Sequence, residues 1–177
     1  CQAGGKLFVA NATEPIRVYS GDAIRPQTGA ITAQYMIFYK ACLWAAGEPT
    51  SGNETRLYRS GNDANIGNFT YNLTGNPLAT STYISQSDGV SLKGFFKHQD
   101  YLYPVKEKSL WRSSVGTDTY QLITNEMVDP ARGTDSHFSI DTVDNDNFMF
   151  NEQGIFATGY EPNILDQNRN AMVAACS

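Results

Sequence analysis

The chain has no apolar stretch long enough to cross a membrane as a helix, and no excess of basic residues. The longest apolar candidate, 31–46, is interrupted by Gln34 and Lys40, whereas a membrane span needs about 18 to 20 apolar residues. The net charge is −5 and the pI is near 4.9, while proteins that bind nucleic acid carry clustered Lys and Arg. We therefore expect neither a membrane span nor a nucleic-acid partner.

A recognisable catalytic signature is also missing. The two histidines, His98 and His137, lack the spacing of a zinc site. The sequence contains no Gly-x-Ser-x-Gly elbow and no phosphate-binding loop, and none of its 18 acidic residues stands out as part of a glycosidase pair. We expect a protein that binds or assembles and is not an enzyme, with a secreted carbohydrate-active enzyme as the less favoured alternative.

Cysteine is scarce, with Cys1, Cys42 and Cys176 only. A mature chain that opens on Cys is expected to have lost a signal peptide, which places it outside the cell, where thiols oxidise. One disulfide is predicted. Cys1–Cys42 is favoured over Cys1–Cys176, and a Cys42–Cys176 pair would leave Cys1 free to carry a lipid anchor.

An extracellular setting also makes the Asn-x-Ser/Thr sequons candidates for glycosylation. The four sequons begin at Asn11, Asn53, Asn68 and Asn72.

Short apolar runs separated by Gly, Asn, Asp, Ser and Thr dominate the chain. Runs such as 7–10, 56–59 and 102–105 predict strands, and gaps of roughly 8 to 15 residues between them are typical of a sandwich or barrel. The predicted fold is mainly β, an immunoglobulin-like β-sandwich or barrel with one or two short helices, one of them at 162–175 near the C-terminus. One domain is expected to span residues 1–177.

Three segments carry more specific predictions. Residues 31–46 fit a helix or a strand, and we predict strand for the first half and leave the second half open. Residues 68–73 are predicted to pair with 56–59, which would place Asn68 and Asn72 on one face. Residues 82–85 and 90–96 flank Ser-Asp-Gly and predict a hairpin.

Acidic residues concentrate late in the chain. Residues 117–152 contain eight acids against Arg132 alone, while 93–112 contains five basic residues against two acids. Such segments are typical of solvated faces, and the alternative is that the two segments pair with each other. Within the acidic segment, Asp141, Asp144 and Asp146 present oxygen ligands of the type that calcium prefers. Because such residues also form turns without metal, calcium is an alternative and not a requirement.

Aromatic residues offer a further candidate surface. Tyr101, Tyr103 and Trp111 lie close together in sequence, and their rings are candidates for stacking against sugars, with packing in the core as the alternative.

Three sequence stretches form a distinctive arrangement. The first stretch runs from Cys1 to Cys42 and contains Arg17-Val-Tyr19. The second is Gly67-Asn-Phe-Thr-Tyr71, and the third is Tyr120-Gln-Leu-Ile-Thr-Asn125, followed by an acidic loop and the strand from Phe138 to Thr142. The arrangement resembles the lectin domain of fimbrial tip adhesins of the FimH type. The resemblance implies an immunoglobulin-like sandwich whose sugar pocket uses Asn and Asp from loops at one end, here Asn125 with Asp129 or Asp135.

The expected function is therefore that of an extracellular, adhesin-type domain on the cell surface. Such a domain recognises glycans or a host or surface receptor. The alternative is a structural subunit that assembles with copies of itself into an extracellular filament or pilus.

Overall fold

The computed structural model describes residues 1–85, 90–116, 121–143, 146–152 and 154–158. These residues form strands in four antiparallel sheets, together with two single-turn 3-10 helices, Asp63–Asn65 and His137–Ser139. The prediction of a mainly β fold is confirmed, while the helix predicted at 162–175 lies outside the described residues. No helix of the described part is both long and apolar enough to cross a membrane.

The described residues group into two compact units. The first unit comprises Cys1–Leu92 and Val115–Thr124, and the second comprises Lys93–Ser114 and the described residues from Asn125 onward. A single domain over the whole chain stays a prediction.

The first unit consists of two four-stranded sheets whose inner faces share one core. Its strands are β1 (Gln2–Ala3), β2 (Lys6–Val9), β3 (Arg17–Tyr19), β4 (Ile24–Pro26), β5 (Tyr35–Tyr39), β6 (Cys42–Ala46), β7 (Arg56–Arg59) and β8 (Thr80–Tyr83). The sheet orders are β1-β2-β3-β4 and β5-β6-β7-β8. Phe8 on β2 and Ile16, directly before β3, pack against Leu43 and Ala45 on β6 in a buried cluster. Each sheet thus supplies one layer of the core.

Residues 35–46 form a hairpin, which settles the second half of the segment 31–46 as a strand. Strands β5 and β6 pair from Tyr35 with Ala46 to Tyr39 with Cys42. All five residues of β6 are buried. Because such a strand is covered on both faces, it lacks the polar alternation that normally distinguishes a strand from a helix.

Residues 56–59 form β7 as predicted, but the predicted partner strand at 68–73 is wrong. β7 pairs with β8 instead. The Asn68 carboxamide oxygen accepts a hydrogen bond from the amide of Thr70 at 3.0 Å, and that of Asn72 accepts one from the amide of Thr74 at 3.0 Å. These bonds use backbone donors that a strand ladder requires.

The predicted hairpin between 82–85 and 90–96 is also wrong. Strand β8 lies at the edge of the second sheet of the first unit, whereas the next strand, β9 (Leu92–His98), lies at the edge of another sheet. A Ser-Asp-Gly sequence favours a tight turn but does not fix the sheet that the following strand joins.

The second unit also pairs two sheets around one core. Its remaining strands are β10 (Tyr101–Lys106), β11 (Leu110–Val115), β12 (Ile123–Asp129), β13 (Ile140–Val143), β14 (Asp146–Asn151) and β15 (Gly154–Thr158). The sheet orders are β12-β11-β10-β9 and β13-β14-β15. Phe96 stacks on Tyr103 with ring centroids 4.9 Å apart, and this pair joins Met149 and Phe156 from the other sheet in the core.

Candidate functional site

A cleft of about 450 Å³ opens in the second unit where three connections come together. These connections are the β10–β11 turn, the β12–β13 connection and the β14–β15 turn. The cleft is lined by Glu107, Lys108, Pro130, Ala131, Asp135, Asn151 and Glu152. Loops grouped at one end of a two-sheet scaffold are a common location for binding sites.

A glycine holds the β12–β13 connection against the end of β10. A Cβ atom added at Gly133 would lie 2.1 Å from the carbonyl oxygen of Lys106 and 2.6 Å from that of Glu107. The next amide, that of Thr134, donates a hydrogen bond to the same Lys106 carbonyl at 3.0 Å. No side chain fits between these two backbone segments, so this wall of the cleft depends on glycine.

Thr134 and Asn151 connect the loops to one another. Thr134 is fully buried, and its hydroxyl donates to the carbonyl of Phe150 at 2.9 Å and contacts the Ser139 hydroxyl. The Asn151 side-chain amide donates to the Gly133 carbonyl at 3.0 Å. The β12–β13 connection is therefore hydrogen-bonded both to β10 and to β14.

Asp129 shapes the loop, while Asp135 lies in the cleft. One carboxylate oxygen of Asp129 accepts a hydrogen bond from the amide of Ala131 at 2.8 Å, and the other lies 3.6 Å from Nε of Arg132. The Arg132 guanidinium in turn lies 5.2 Å from the centroid of the Phe156 ring. Of the two alternatives that the resemblance implied, Asp135 is the one that lines the cleft.

The lining is polar and carries an excess of negative charge. Three carboxylates, on Glu107, Asp135 and Glu152, face one ammonium group, on Lys108, which leaves an excess of two negative charges. Lys93 partly neutralises this negative charge, because its Nζ lies 3.8 Å from a Glu107 carboxylate oxygen. Ionised carboxylates only accept hydrogen bonds, whereas amide and ammonium groups donate them, so the cleft offers acceptors and donors side by side.

Asn125 lies on strand β12 and not on a loop. Its carboxamide oxygen accepts a hydrogen bond from the Ser113 hydroxyl at 2.7 Å. On the same two strands, Arg112 pairs with Glu126 at 2.5 Å. This ion pair joins the basic stretch 93–112 to the acidic segment 117–152 within the second unit.

The three aromatic candidates do not form one exposed platform. Tyr103 is only 2% exposed and belongs to the core. Tyr101 lies beneath the Arg112 guanidinium, 4.8 Å from ring centroid to Cζ. Trp111 is partly buried, and its Nε1 donates to the Ser109 hydroxyl at 2.9 Å.

Two of the three calcium candidates are described, Asp141 and Asp146, which lie on the paired strands β13 and β14. Asp144 lies outside the described residues. Within the described ranges no three Asp, Glu, His or Cys side chains are arranged to hold a metal ion. On β14, the Asn147 carboxamide oxygen accepts a hydrogen bond from the Thr142 hydroxyl at 2.7 Å, and the Asn147 side-chain nitrogen lies 3.2 Å from Nδ1 of His98. Calcium at these residues stays an untested alternative.

Cys1 is exposed and Cys42 is buried, and both are free thiols in the structure. Burial raises the pKa of the Cys42 thiol to about 11. Cys176 lies outside the described residues, and the disulfide stays a prediction.

Glycosylation likewise stays a prediction. Of the sequon asparagines, Asn11 and Asn72 are exposed, whereas Asn53 and Asn68 are partly buried. The Asn53 carboxamide oxygen also accepts a hydrogen bond from the Tyr83 hydroxyl at 3.1 Å.

Sequence reasoning missed most of the cleft. Pro130 directly follows β12, and Asn151 ends β14 with Glu152 directly after it, so proline and asparagine mark both positions as strand ends. No local signal in the sequence indicates that these positions lie close to the β10–β11 turn, which follows Lys106.

No protein-family model matches the chain, and a search of curated proteins gives no match to its sequence.

Proposed function

We propose that this chain is an extracellular, adhesin-type binding domain that holds a glycan in the cleft of the second unit. The observation that carries the proposal is the cleft itself, about 450 Å³ in volume and lined mostly by polar side chains on loops that are hydrogen-bonded to one another. Binding sites for small ligands typically have volumes of about 300 to 1,000 Å³. The volume suits one or two sugar rings.

The chemistry of the lining fits a polyhydroxylated ligand. A sugar hydroxyl both donates and accepts hydrogen bonds. The carboxylates of Asp135 and Glu152 can accept from neighbouring hydroxyls, while Lys108 can donate to them. Pro130 and Ala131 add a small apolar surface for the C–H face of a sugar ring. The resemblance to fimbrial lectin domains supports the same class of ligand.

Preformed loops favour recognition without a large conformational change. Thr134 and Asn151 fix the β12–β13 connection to β14 through bonds of 2.9 and 3.0 Å. A ligand that enters the cleft then needs to order few protein groups, which lowers the entropic cost of binding.

The direct test is a glycan microarray probed with the wild-type domain and with Asp135→Asn. The substitution keeps the size of the side chain and removes its charge. Hydrogen bonds to charged groups contribute about 1.5 to 3 kcal/mol, so we expect binding to weaken by roughly 10- to 150-fold. Asp63→Asn is the matched control, because it makes the same chemical change at an exposed site in the first unit and should bind like the wild type.

Two results would contradict the proposal. One is a wild-type domain that binds no glycan on the array. The other is an Asp135→Asn variant that binds with unchanged affinity and specificity.

A further inference from the structure

Two carboxylates in the cleft of the second unit are not neutralised by the chain itself. Asp135 lies in the β12–β13 connection, and Glu152 directly follows β14. Within the described ranges no Lys or Arg forms an ion pair with either of them. The third acid of the lining, Glu107, does have a cation close by, because Nζ of Lys93 lies 3.8 Å away. The excess negative charge of the cleft therefore lies at Asp135 and Glu152.

The backbone segments that carry these two acids are joined to each other. The side-chain amide of Asn151, the residue before Glu152, donates a hydrogen bond to the Gly133 carbonyl at 3.0 Å. Gly133 lies only two residues before Asp135. Each of the two loops thus presents one acceptor to the same cleft, and both loops are positioned before a ligand arrives.

This distribution of charge favours a ligand that carries a positive charge. A cleft lined by an excess of one sign attracts ions of the opposite sign and raises their local concentration, whereas a ligand of the same sign is repelled. The glycan that carries a positive charge is an amino sugar. Its amine, beside electron-withdrawing hydroxyls, resembles an α-amino group, whose pKa of about 7.7 to 8.0 keeps it mostly protonated at pH 7.

We propose that the cleft prefers amino sugars to neutral sugars and rejects acidic ones, an inference that rests on the glycan-binding function proposed above. An ammonium group presents three N–H donors, and charge-assisted hydrogen bonds to carboxylates are roughly twice as strong as bonds between neutral groups. The preference comes from Asp135 and Glu152. Lys108, the cation of the lining, acts against it.

The exposure of the two acids sets the size of the preference. Both Asp135 and Glu152 are exposed, and an exposed ion pair strengthens binding by up to about fivefold. Two such pairs give the amino sugar a preference of about 5- to 25-fold. In about 1 M salt the Debye length falls to about 3 Å, so most of this preference should disappear.

Titration of the isotopically labelled protein at pH 7 with glucosamine, N-acetylglucosamine, glucose and glucuronic acid tests the inference. N-acetylglucosamine keeps the nitrogen of glucosamine but not its charge. At low salt we expect glucosamine to bind about 5- to 25-fold more tightly than either neutral sugar, and glucuronic acid to bind most weakly.

Three variants locate the origin of the preference. Glu152→Gln should reduce it by up to about fivefold, and Lys108→Gln should increase it. Asp63→Asn, which removes an exposed acid of the first unit, is the control and should keep the wild-type preference.

The outcomes separate this inference from the proposed function. If glucose or N-acetylglucosamine saturates the cleft as tightly as glucosamine does, the glycan site stands and the inference is wrong. A preference that neither Glu152→Gln nor about 1 M sodium chloride reduces would also overturn it. Binding of glucose that requires added calcium chloride would do the same, because a metal ion would then neutralise the carboxylates. If none of the four sugars shifts the cleft resonances at about 10 mM, the proposed function fails as well.

Discussion

Gly133→Ala should destabilise the second unit and open the cleft. The added methyl group would lie 2.1 Å from the carbonyl oxygen of Lys106 and 2.6 Å from that of Glu107. Both contacts are with backbone, so neither can be relieved by a side-chain rotation. The β12–β13 connection has to move away from β10.

The magnitude follows from what that movement breaks. Overpacking costs about 1 to 3 kcal/mol. Two hydrogen bonds are lost or lengthened, from the Thr134 amide to Lys106 and from Asn151 to Gly133, at about 0.5 to 1.5 kcal/mol each. The lower backbone entropy of the unfolded Ala variant offsets about 0.4 to 1 kcal/mol of this loss in stability. We expect a net loss of about 1 to 5 kcal/mol.

Urea unfolding combined with peptide-level hydrogen exchange measures this loss. Gly75→Ala is the control, because the nearest atom to its added Cβ is 3.7 Å away, an ordinary contact. That variant should match or slightly exceed wild-type stability. Faster exchange should be confined to the cleft loops and β10 in Gly133→Ala. A loss below about 0.5 kcal/mol, the size of ordinary surface substitutions, would refute this account of the loop.

Three further predictions concern both units. Lys40 and Ala41 form the β5–β6 turn with φ values of 46° and 58°, a conformation that favours glycine. Ala41→Gly removes about 1 to 2 kcal/mol of left-handed strain and adds about 0.5 to 1 kcal/mol of entropy cost, so it should stabilise the protein by about 0.5 to 1 kcal/mol, measured as a rise of about 1 to 4 °C in melting temperature. Burial lowers the pKa of His137 below its ordinary 6.5, so on acidification the unfolded chain takes up a proton before the folded chain does. Stability should therefore fall as pH drops from about 7 to about 5 in urea titrations, and His137→Gln should lessen that fall. With its thiols reduced, native protein should show rapid Ellman modification at Cys1 and not at Cys42, because Cys42 is buried with a pKa of about 11, and Cys42 should react once urea is added. Rapid modification of Cys42 in native protein would contradict this last prediction.

Strands could be predicted wherever alternation and turn residues mark both ends. The segment 56–59 is β7 residue for residue, and 7–10 overlaps β2. The prediction at 68–73 failed because Asn side chains compete with neighbouring strands for backbone amides. Composition alone cannot tell which partner those amides take.

The site was harder to predict than the fold. Asp135 could be nominated, since a family resemblance pointed to an acid in that loop. Glu107 follows β10, whereas Asn151 and Glu152 lie at the end of β14, and only the packing of the two sheets on each other brings these distant positions together. The close approach between the backbones at Gly133 and Lys106 could not be predicted either, because glycine occurs in loops for many different reasons.

The binding claim is tested most directly by titrating the isotopically labelled domain with simple sugars and following its backbone amide resonances. The account predicts saturable shifts concentrated at the cleft, at Glu107, Lys108, Asp135, Asn151 and Glu152, and their loss in Asp135→Asn. Saturable shifts centred elsewhere, or none with any sugar at concentrations of about 10 mM, well above the millimolar dissociation constants of weak ligands, would contradict it.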